Sequence, residues 1–156
     1  MTMNIEIKFN GQTKSLTVKT TQSLLSALRE DAKAKEVKDG CSEGDCGACT
    51  ILMDGKAVNS CLVLAPAADG CEIVTVKGLG DASNPSTLQR GFVTSGAIQC
   101  GFCTAGMVVS AKALLDTNPN PSRAEIREGL AGNLCRCTGY QKIIDAVECA
   151  AQKNNS

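Results

Sequence analysis

The sequence predicts an α+β fold in two parts, a small mixed β-sheet with one helix followed by a bundle of four helices. Apolar residues alternate in short segments between Ile5 and Val76, whereas further along they recur with helical spacing. A run of turn-forming residues, GLGDASNP, separates the two patterns. We therefore expect one domain at residues 1–77, a linker at residues 78–85 and a second domain at residues 86–156.

The first part is predicted to contain two hairpins, a short helix and a last strand. Asn10-Gly11 is a strong hairpin signal, because apolar residues alternate on both sides of it (Ile5, Ile7, Phe9, Leu16, Val18). The other elements are a helical stripe at Leu24, Leu25 and Leu28, strands at residues 50–53 and 56–59 around Asp54-Gly55, and a strand at residues 72–76. The segment GCSEGDCGAC (residues 40–49) is a Gly-rich cysteine loop, and with it beside the sheet these elements make the β-grasp arrangement of ferredoxins.

The second part is predicted to be a pair of helical hairpins. Two capping boxes, Ser86-x-x-Gln89 and Ser122-x-x-Glu125, each open a short helix, and Gly96 and Gly132 stand where such helices end. Each glycine is followed by a cysteine pair and then by a longer helix. The two longer helices carry matching apolar stripes: Met107, Val108, Ala111, Leu114 and Leu115, then Ile143, Ile144, Val147, Ala150 and Ala151. This repeat predicts a four-helix bundle.

Charge and residue usage exclude several classes of function. Lys and Arg total 16, as do Asp and Glu, so nothing indicates a nucleic acid or an anionic membrane as partner. The chain has no His, which excludes Rieske ligation and an imidazole base. We expect no catalytic residue and no substrate pocket in this chain. The early charged residues and the lack of a long apolar run predict a cytoplasmic protein without membrane insertion.

Eight of the ten cysteines form two sets of four, which we call the first quartet and the second quartet. The first begins with the C-x4-C-x2-C spacing of plant-type [2Fe-2S] ferredoxins, although its fourth cysteine follows sooner than in those proteins. The second combines a C-x2-C pair with a C-x-C pair. The predicted metal ligands are therefore Cys41, Cys46, Cys49 and Cys61 in the first quartet, and Cys100, Cys103, Cys135 and Cys137 in the second.

Other uses of these cysteines remain open at this point. Four thiolates can also bind a zinc ion, an alternative that applies chiefly to the second quartet. Four thiolates can also hold a [4Fe-4S] cluster. A secreted disulfide framework fits poorly, because no signal peptide is evident and cysteines one residue apart pair badly. Cys71 and Cys149 belong to neither quartet and are expected to be small buried or surface thiols.

Three segments carry a resemblance to a known family: VKDGCSEGDCGACT, SGAIQCGFCTAGM and GLAGNLCRCTGYQ. Together with their spacing they resemble the small iron–sulfur subunit of the molybdenum hydroxylases. That family includes xanthine dehydrogenase, nicotinate and other N-heterocycle hydroxylases, aldehyde oxidoreductases and the molybdenum type of carbon monoxide dehydrogenase. The early Cys61 fits this family better than free plant ferredoxins.

The resemblance implies a function in electron transfer. Two [2Fe-2S] clusters in this chain would pass single electrons from a molybdopterin-type cofactor on a large subunit to FAD on a medium subunit, in a heterotrimer that is either single or dimerised. The second quartet would lie near molybdenum and the first near FAD. A purine or related N-heterocycle is the favoured substrate, with an aldehyde or carbon monoxide as further candidates.

The resemblance also implies two contacts to the pterin, from Gln99 and from Cys137. One position departs from the family pattern, since Ala105 stands where proline is usual. A proline there would be the first residue of a helix, so the change removes no ligand.

The alternative functions are a standalone two-cluster ferredoxin and a zinc-stapled interaction module.

Overall fold

A mixed five-stranded sheet dominates the first half of the chain. The computed structural model describes residues 1–154, and within them the strand order is β2-β1-β5-β3-β4. Only the β1–β5 pair is parallel. The strands are β1 (Thr2–Phe9), β2 (Gln12–Lys19), β3 (Thr50–Met53), β4 (Lys56–Asn59) and β5 (Glu72–Val74).

One face of this sheet is covered by a short helical segment. Helix α1 (Leu24–Ser26) runs directly into a π-helical turn (Ala27–Asp31). Alternation along β1 buries Ile5 and Ile7 on the covered face, where they pack in one core with Leu24 and Leu28. The mixed sheet and its single helical segment confirm the predicted β-grasp arrangement.

Four helices form the second half of the chain. They are α2 (Thr87–Thr94), α3 (Thr104–Thr117), α4 (Arg123–Gly129) and α5 (Gln141–Asn154). Each helix packs against two others in the cyclic order α2, α3, α4, α5. Their core is mainly aliphatic, and Phe92 is its one fully buried aromatic side chain within residues 1–154. The α+β fold class with a sheet domain and a four-helix bundle is therefore confirmed.

Two local predictions need correction. The last strand was expected to reach Val76 but ends at Val74, because the N–H of Thr75 donates to the Asn10 side chain at 2.8 Å instead of to a neighbouring strand. Gly132 does not end a helix: α4 stops at Gly129, and the N–H of Leu130 already bonds back to the carbonyl groups of residues 126 and 128.

The other helix boundaries agree closely with expectation. Both capping boxes are present, with reciprocal bonds between Ser86 and Gln89 and between Ser122 and Glu125. Gly96, at φ +64°, follows the end of α2 as predicted. Helix α3 begins at Thr104, so Ala105 occupies the second helical position and not the first.

The segment between the two halves is tied to the bundle. The side-chain amide of Gln89, in the first turn of α2, donates to the carbonyl oxygens of Val76 and Gly80 at 3.0 Å each. Its oxygen accepts from the N–H of Ser86 at 2.8 Å. One side chain therefore caps α2 and also holds the chain that leads into it.

Within residues 1–154, none of the helices has both the length and the apolar character needed to cross a membrane.

Candidate metal centres

The first quartet lies on one loop and one short helical turn. Cys41, Cys46 and Cys49 follow one another in the loop at residues 32–49, and Cys61 lies in a 3₁₀ turn (Ser60–Leu62) after β4. The β3–β4 hairpin brings that turn back beside the loop. The Ser60 hydroxyl fixes the junction by donating to the carbonyl oxygen of Cys49 at 2.8 Å.

Backbone N–H groups of the loop point at its first sulfur. The N–H groups of Glu43 and Cys46 each lie 3.4 Å from Cys41 Sγ, and they lower the pKa of this thiol to about 7. Glycine is needed for the close packing around them, since a Cβ on Gly40 would lie 2.8 Å from Cys46 Sγ. The loop therefore favours a thiolate, the form that binds iron.

The four thiols of the first quartet interact most strongly in two pairs. Cys41 interacts mainly with Cys46, and Cys61 mainly with Cys49, while weaker charge interactions join the pairs to each other. Burial, reinforced by the Cys49 thiol, raises the pKa of Cys61 to about 11. Burial also raises the pKa of Cys46. Cys46 and Cys61 therefore do not share the thiolate-favouring position of Cys41.

The second quartet lies where the two helical hairpins meet. Cys100 and Cys103 occupy the segment between α2 and α3, and Cys135 and Cys137 occupy the loop between α4 and α5. They too interact in pairs, Cys103 with Cys135 and Cys100 with Cys137. Burial, reinforced by Cys135, raises the pKa of Cys103 to about 12. Cys100 and Cys137 are exposed, and so is Gln99 beside them.

Within the second quartet, the thiol of Cys135 has its pKa lowered, so it ionises to the thiolate more readily. Burial acts to raise its pKa, but hydrogen bonds from Thr138 and from the backbone of Cys137 outweigh burial and lower the pKa to about 7. The Thr138 hydroxyl lies 3.1 Å from Cys135 Sγ. The Cys135 N–H is bound elsewhere, to the Tyr140 hydroxyl at 2.8 Å.

Each quartet supplies the four thiols that a two-iron cluster requires. A single zinc ion needs four donors around one point, whereas the two irons of a [2Fe-2S] cluster share four thiolates between them. All ten cysteines, which lie within the described residues, are free thiols.

The two remaining cysteines lie apart from the quartets. Cys71 comes just before β5, where burial, together with the nearby Asp54 and Asp69, raises its pKa. Cys149 is half-buried on α5.

The two quartets meet along a seam that the sequence did not reveal. The N–H of Leu134, next to Cys135, donates to the carbonyl oxygen of Cys46 at 2.9 Å. The buried side chain of Asn133 donates to the carbonyl oxygen of Gly47 at 2.9 Å and to Thr50 Oγ1 at 3.3 Å. Helix α3 approaches the same carbonyl at a residue without a side chain, since a Cβ on Gly106 would lie 2.2 Å from it.

Asn133, Thr138 and Tyr140 are site residues that sequence reasoning missed. All three lie in the segment GLAGNLCRCTGYQ, between or beside the cysteines. Their nearness to the predicted ligands Cys135 and Cys137 was the signal available. Their hydrogen-bond partners, however, are backbone groups and a cysteine sulfur. The positions of these partners depend on the folded loop and cannot be read from the sequence.

Comparisons with known proteins agree with this geometry. The family model described as "2Fe-2S iron-sulfur cluster binding domain" matches residues 7–73, and "[2Fe-2S] binding domain" matches residues 75–148. The nicotinate dehydrogenase small FeS subunit of Eubacterium barkeri is 47% identical over 97% of this chain and 96% of its own length. The nicotine 6-hydroxylase small subunit of Paenarthrobacter nicotinovorans is 50% identical over 93% of this chain and 87% of its own length.

A solved structure shows the same fold. Quinoline 2-oxidoreductase from Pseudomonas putida 86 contains a chain that matches with a TM-score of 0.95 and 46% identity, covering 99% of this chain and 96% of that one. Fold and thiol sets together define an iron–sulfur protein with two [2Fe-2S] domains. The chain belongs to the family of small iron–sulfur subunits of the molybdenum hydroxylases.

Proposed function

We propose that this chain carries single electrons between a molybdenum site on a large partner subunit and FAD on a medium partner subunit. The observation that carries the proposal is the seam, where the hydrogen bond from Leu134 to Cys46 holds the two quartets side by side. When bound, a [2Fe-2S] cluster takes up and releases one electron at a time. The chain's own residues fix where two such groups stand relative to one another.

The ligand assignment is part of this proposal. Each iron would take one of the thiol pairs described above. Support comes from the backbone N–H groups aimed at Cys41 Sγ and from the Thr138 hydroxyl on Cys135 Sγ, which stabilise negative charge on sulfur. The proposed ligands are Cys41, Cys46, Cys49 and Cys61 for one cluster, and Cys100, Cys103, Cys135 and Cys137 for the other.

The orientation towards the partners follows from exposure. Cys100 and Cys137 reach the surface together with Gln99, so this face can meet a cofactor carried by another subunit. We propose that Gln99 and Cys137 contact the molybdopterin there, and that the first quartet is the exit towards FAD. The domain boundaries proposed with this arrangement are residues 1–77 and 86–156, with the linker at residues 78–85.

The favoured substrate of the whole enzyme is an N-heterocycle. The relatives named above are named for nicotinate, nicotine and quinoline, which are all N-heterocycles. By their names, the first two are small subunits, so they give no support to a standalone ferredoxin. An aldehyde or carbon monoxide is the second substrate class. We propose a heterotrimer, single or dimerised, in the cytoplasm, where free thiols persist.

The test is to isolate the untagged protein from its source with whatever accompanies it. We expect two larger subunits, about four Fe and about one Mo per chain, and bound FAD. Anaerobic addition of nicotinate, xanthine or an aldehyde should then bleach the iron–sulfur absorbance with only one substrate class. Four Fe without Mo or partners would favour the standalone ferredoxin, and zinc in place of iron would overturn electron transfer altogether.

A further inference from the structure

The turn between Cys135 and Tyr140 fixes the direction of one hydroxyl proton. Thr138 Oγ1 lies 3.1 Å from Cys135 Sγ and 3.2 Å from the backbone nitrogen of Tyr140. The Tyr140 N–H can only donate, so the hydroxyl oxygen accepts there. Its single proton is therefore free to point at the sulfur.

Tyr140 holds this turn in an uncommon backbone conformation. Its φ of +67° is unusual for a bulky residue and indicates that its surroundings impose it. The conformation lets the Tyr140 N–H reach Thr138 while the phenol oxygen accepts the N–H of Cys135 at 2.8 Å. That amide is thereby turned away from sulfur.

The hydroxyl is the donor to Cys135 Sγ that a substitution can remove. The other groups that favour this thiolate are the backbone N–H groups of Cys137 and Thr138 and the thiol of Cys103, which is itself a proposed ligand. In the first quartet, by contrast, Cys41 Sγ accepts from the backbone of Glu43 and Cys46. Cys135 Sγ thus accepts from a side-chain hydroxyl, whereas these two donors to Cys41 Sγ are backbone groups.

We propose that the Thr138 hydroxyl raises the reduction potential of the cluster held by the second quartet, and so sets the driving force for electron exchange with the first. The inference rests on the ligand assignment in the proposed function. Reduction adds one electron to the cluster and makes it more negative by one charge, with no proton transferred. A donor hydrogen bond to a ligand sulfur stabilises the reduced form more than the oxidised form.

The test is a potentiometric titration of the isolated complex, with dithionite as reductant and the two clusters followed by electron paramagnetic resonance. In Thr138→Val we expect the reduced-to-oxidised ratio of one cluster to fall about tenfold at a given potential, which is about 59 mV for one electron. The other cluster should not shift. Thr138→Ser, which keeps the hydroxyl, should titrate like the wild type.

Thr117→Val is the matched control, because its hydroxyl donates to carbonyl oxygens within α3 and not to sulfur. Unchanged potentials in Thr138→Val with full iron would overturn the inference and leave the proposed function intact. Loss of iron from both Thr138→Val and Thr138→Ala, with full iron in Thr138→Ser, would mean that the hydroxyl is needed to bind the cluster and does not adjust its reduction potential. That result would also overturn the inference. A wild-type complex without two iron–sulfur signals would instead defeat the proposed function.

Discussion

The backbone N–H of Leu134 donates to the carbonyl oxygen of Cys46 across 2.9 Å. Leu134 is followed by Cys135, so a single hydrogen bond and the covalent bonds of three residues connect a thiol of the first quartet to a thiol of the second. Both groups in this bond belong to the backbone. The bond therefore depends on how the two halves of the chain are placed against each other, and the neighbouring residues hold them in that placement.

Asn133 is predicted to stabilise the seam. Replacing it with Leu would remove the donor that lies 2.9 Å from the buried carbonyl of Gly47, which would keep its bonds from the N–H and hydroxyl of Thr50. We expect the unfolding free energy to fall by about 0.5–1.5 kcal/mol, the net worth of one hydrogen bond, measured as a lower melting temperature of the cluster-loaded chain. Asn84→Ala, at an exposed position before α2, is the control and should change stability by less than about 0.5 kcal/mol. Equal melting of both variants would contradict this role.

Gly106 should resist a substitution that normally stabilises helices. Alanine is usually preferred to glycine inside a helix by about 1 kcal/mol. Here the added Cβ would lie 2.2 Å from the carbonyl oxygen of Gly47, so α3 or the cysteine loop must move. We expect Gly106→Ala to lower the melting temperature and to disturb the spectrum of the cluster proposed for the first quartet.

Gly132→Ala provides the comparison, because a Cβ there would meet no heavy atom within 4 Å. This variant should melt like the wild type. A stabilised Gly106→Ala chain would show that the close approach of α3 to the loop is not part of the folded protein in solution.

The cluster proposed for the second quartet is predicted to be required for folding of the four-helix bundle. Cys103→Ser removes a proposed ligand, so iron should fall from about four to about two per chain. The small, mainly aliphatic core of this half leads us to expect loss of helical circular dichroism as well. Cys149→Ser, outside the quartets, should keep all its iron. Full helicity and normal melting in Cys103→Ser would refute the dependence of folding on the cluster.

The capping box of α4 should make a pH-dependent contribution to stability. Hydrogen bonds from the Ser122 hydroxyl and N–H lower the pKa of Glu125 below its ordinary value of 4.5. A lowered folded-state pKa means that the carboxylate stabilises the protein above pH 4.5, and that this contribution is lost as the pH falls through the folded-state value. Melting temperatures of the wild type and Glu125→Gln should therefore differ at neutral pH and converge in acid. A constant difference would contradict this assignment.

Local sequence signals predicted the elements well where one short segment determines the conformation. At Asn10-Gly11 both residues have positive φ, +47° and +84°, as the tight hairpin turn requires. Ser86 and Ser122 marked helix starts because a capping box is completed within four residues. The cysteine spacings led to the ligand hypothesis for the same reason, since ligands of one cluster recur at short fixed intervals.

The seam could not be predicted in this way. Asn133 donates to the carbonyl oxygen of Gly47, which lies 86 residues earlier in the chain. Nothing in the sequence around either residue indicates that the two are in contact. Tyr140 gives no sequence signal for positive φ, because tyrosine rarely adopts it. The early end of β5 had a similar cause, as Thr75 bonds to Asn10 from 65 residues away. Each miss concerns contacts between segments that only the complete fold brings together.

The connection held by Gln89 has a consequence for kinetics. In a carrier that must swing one module towards the other before an electron passes, that motion can limit the rate, and it slows in viscous solution. Here Gln89 anchors the segment between the halves at Val76 and Gly80, and Asn133 bonds the bundle to the cysteine loop, so that no such swing is needed. Electron exchange within the chain should therefore proceed at the same rate in buffer and in concentrated glycerol.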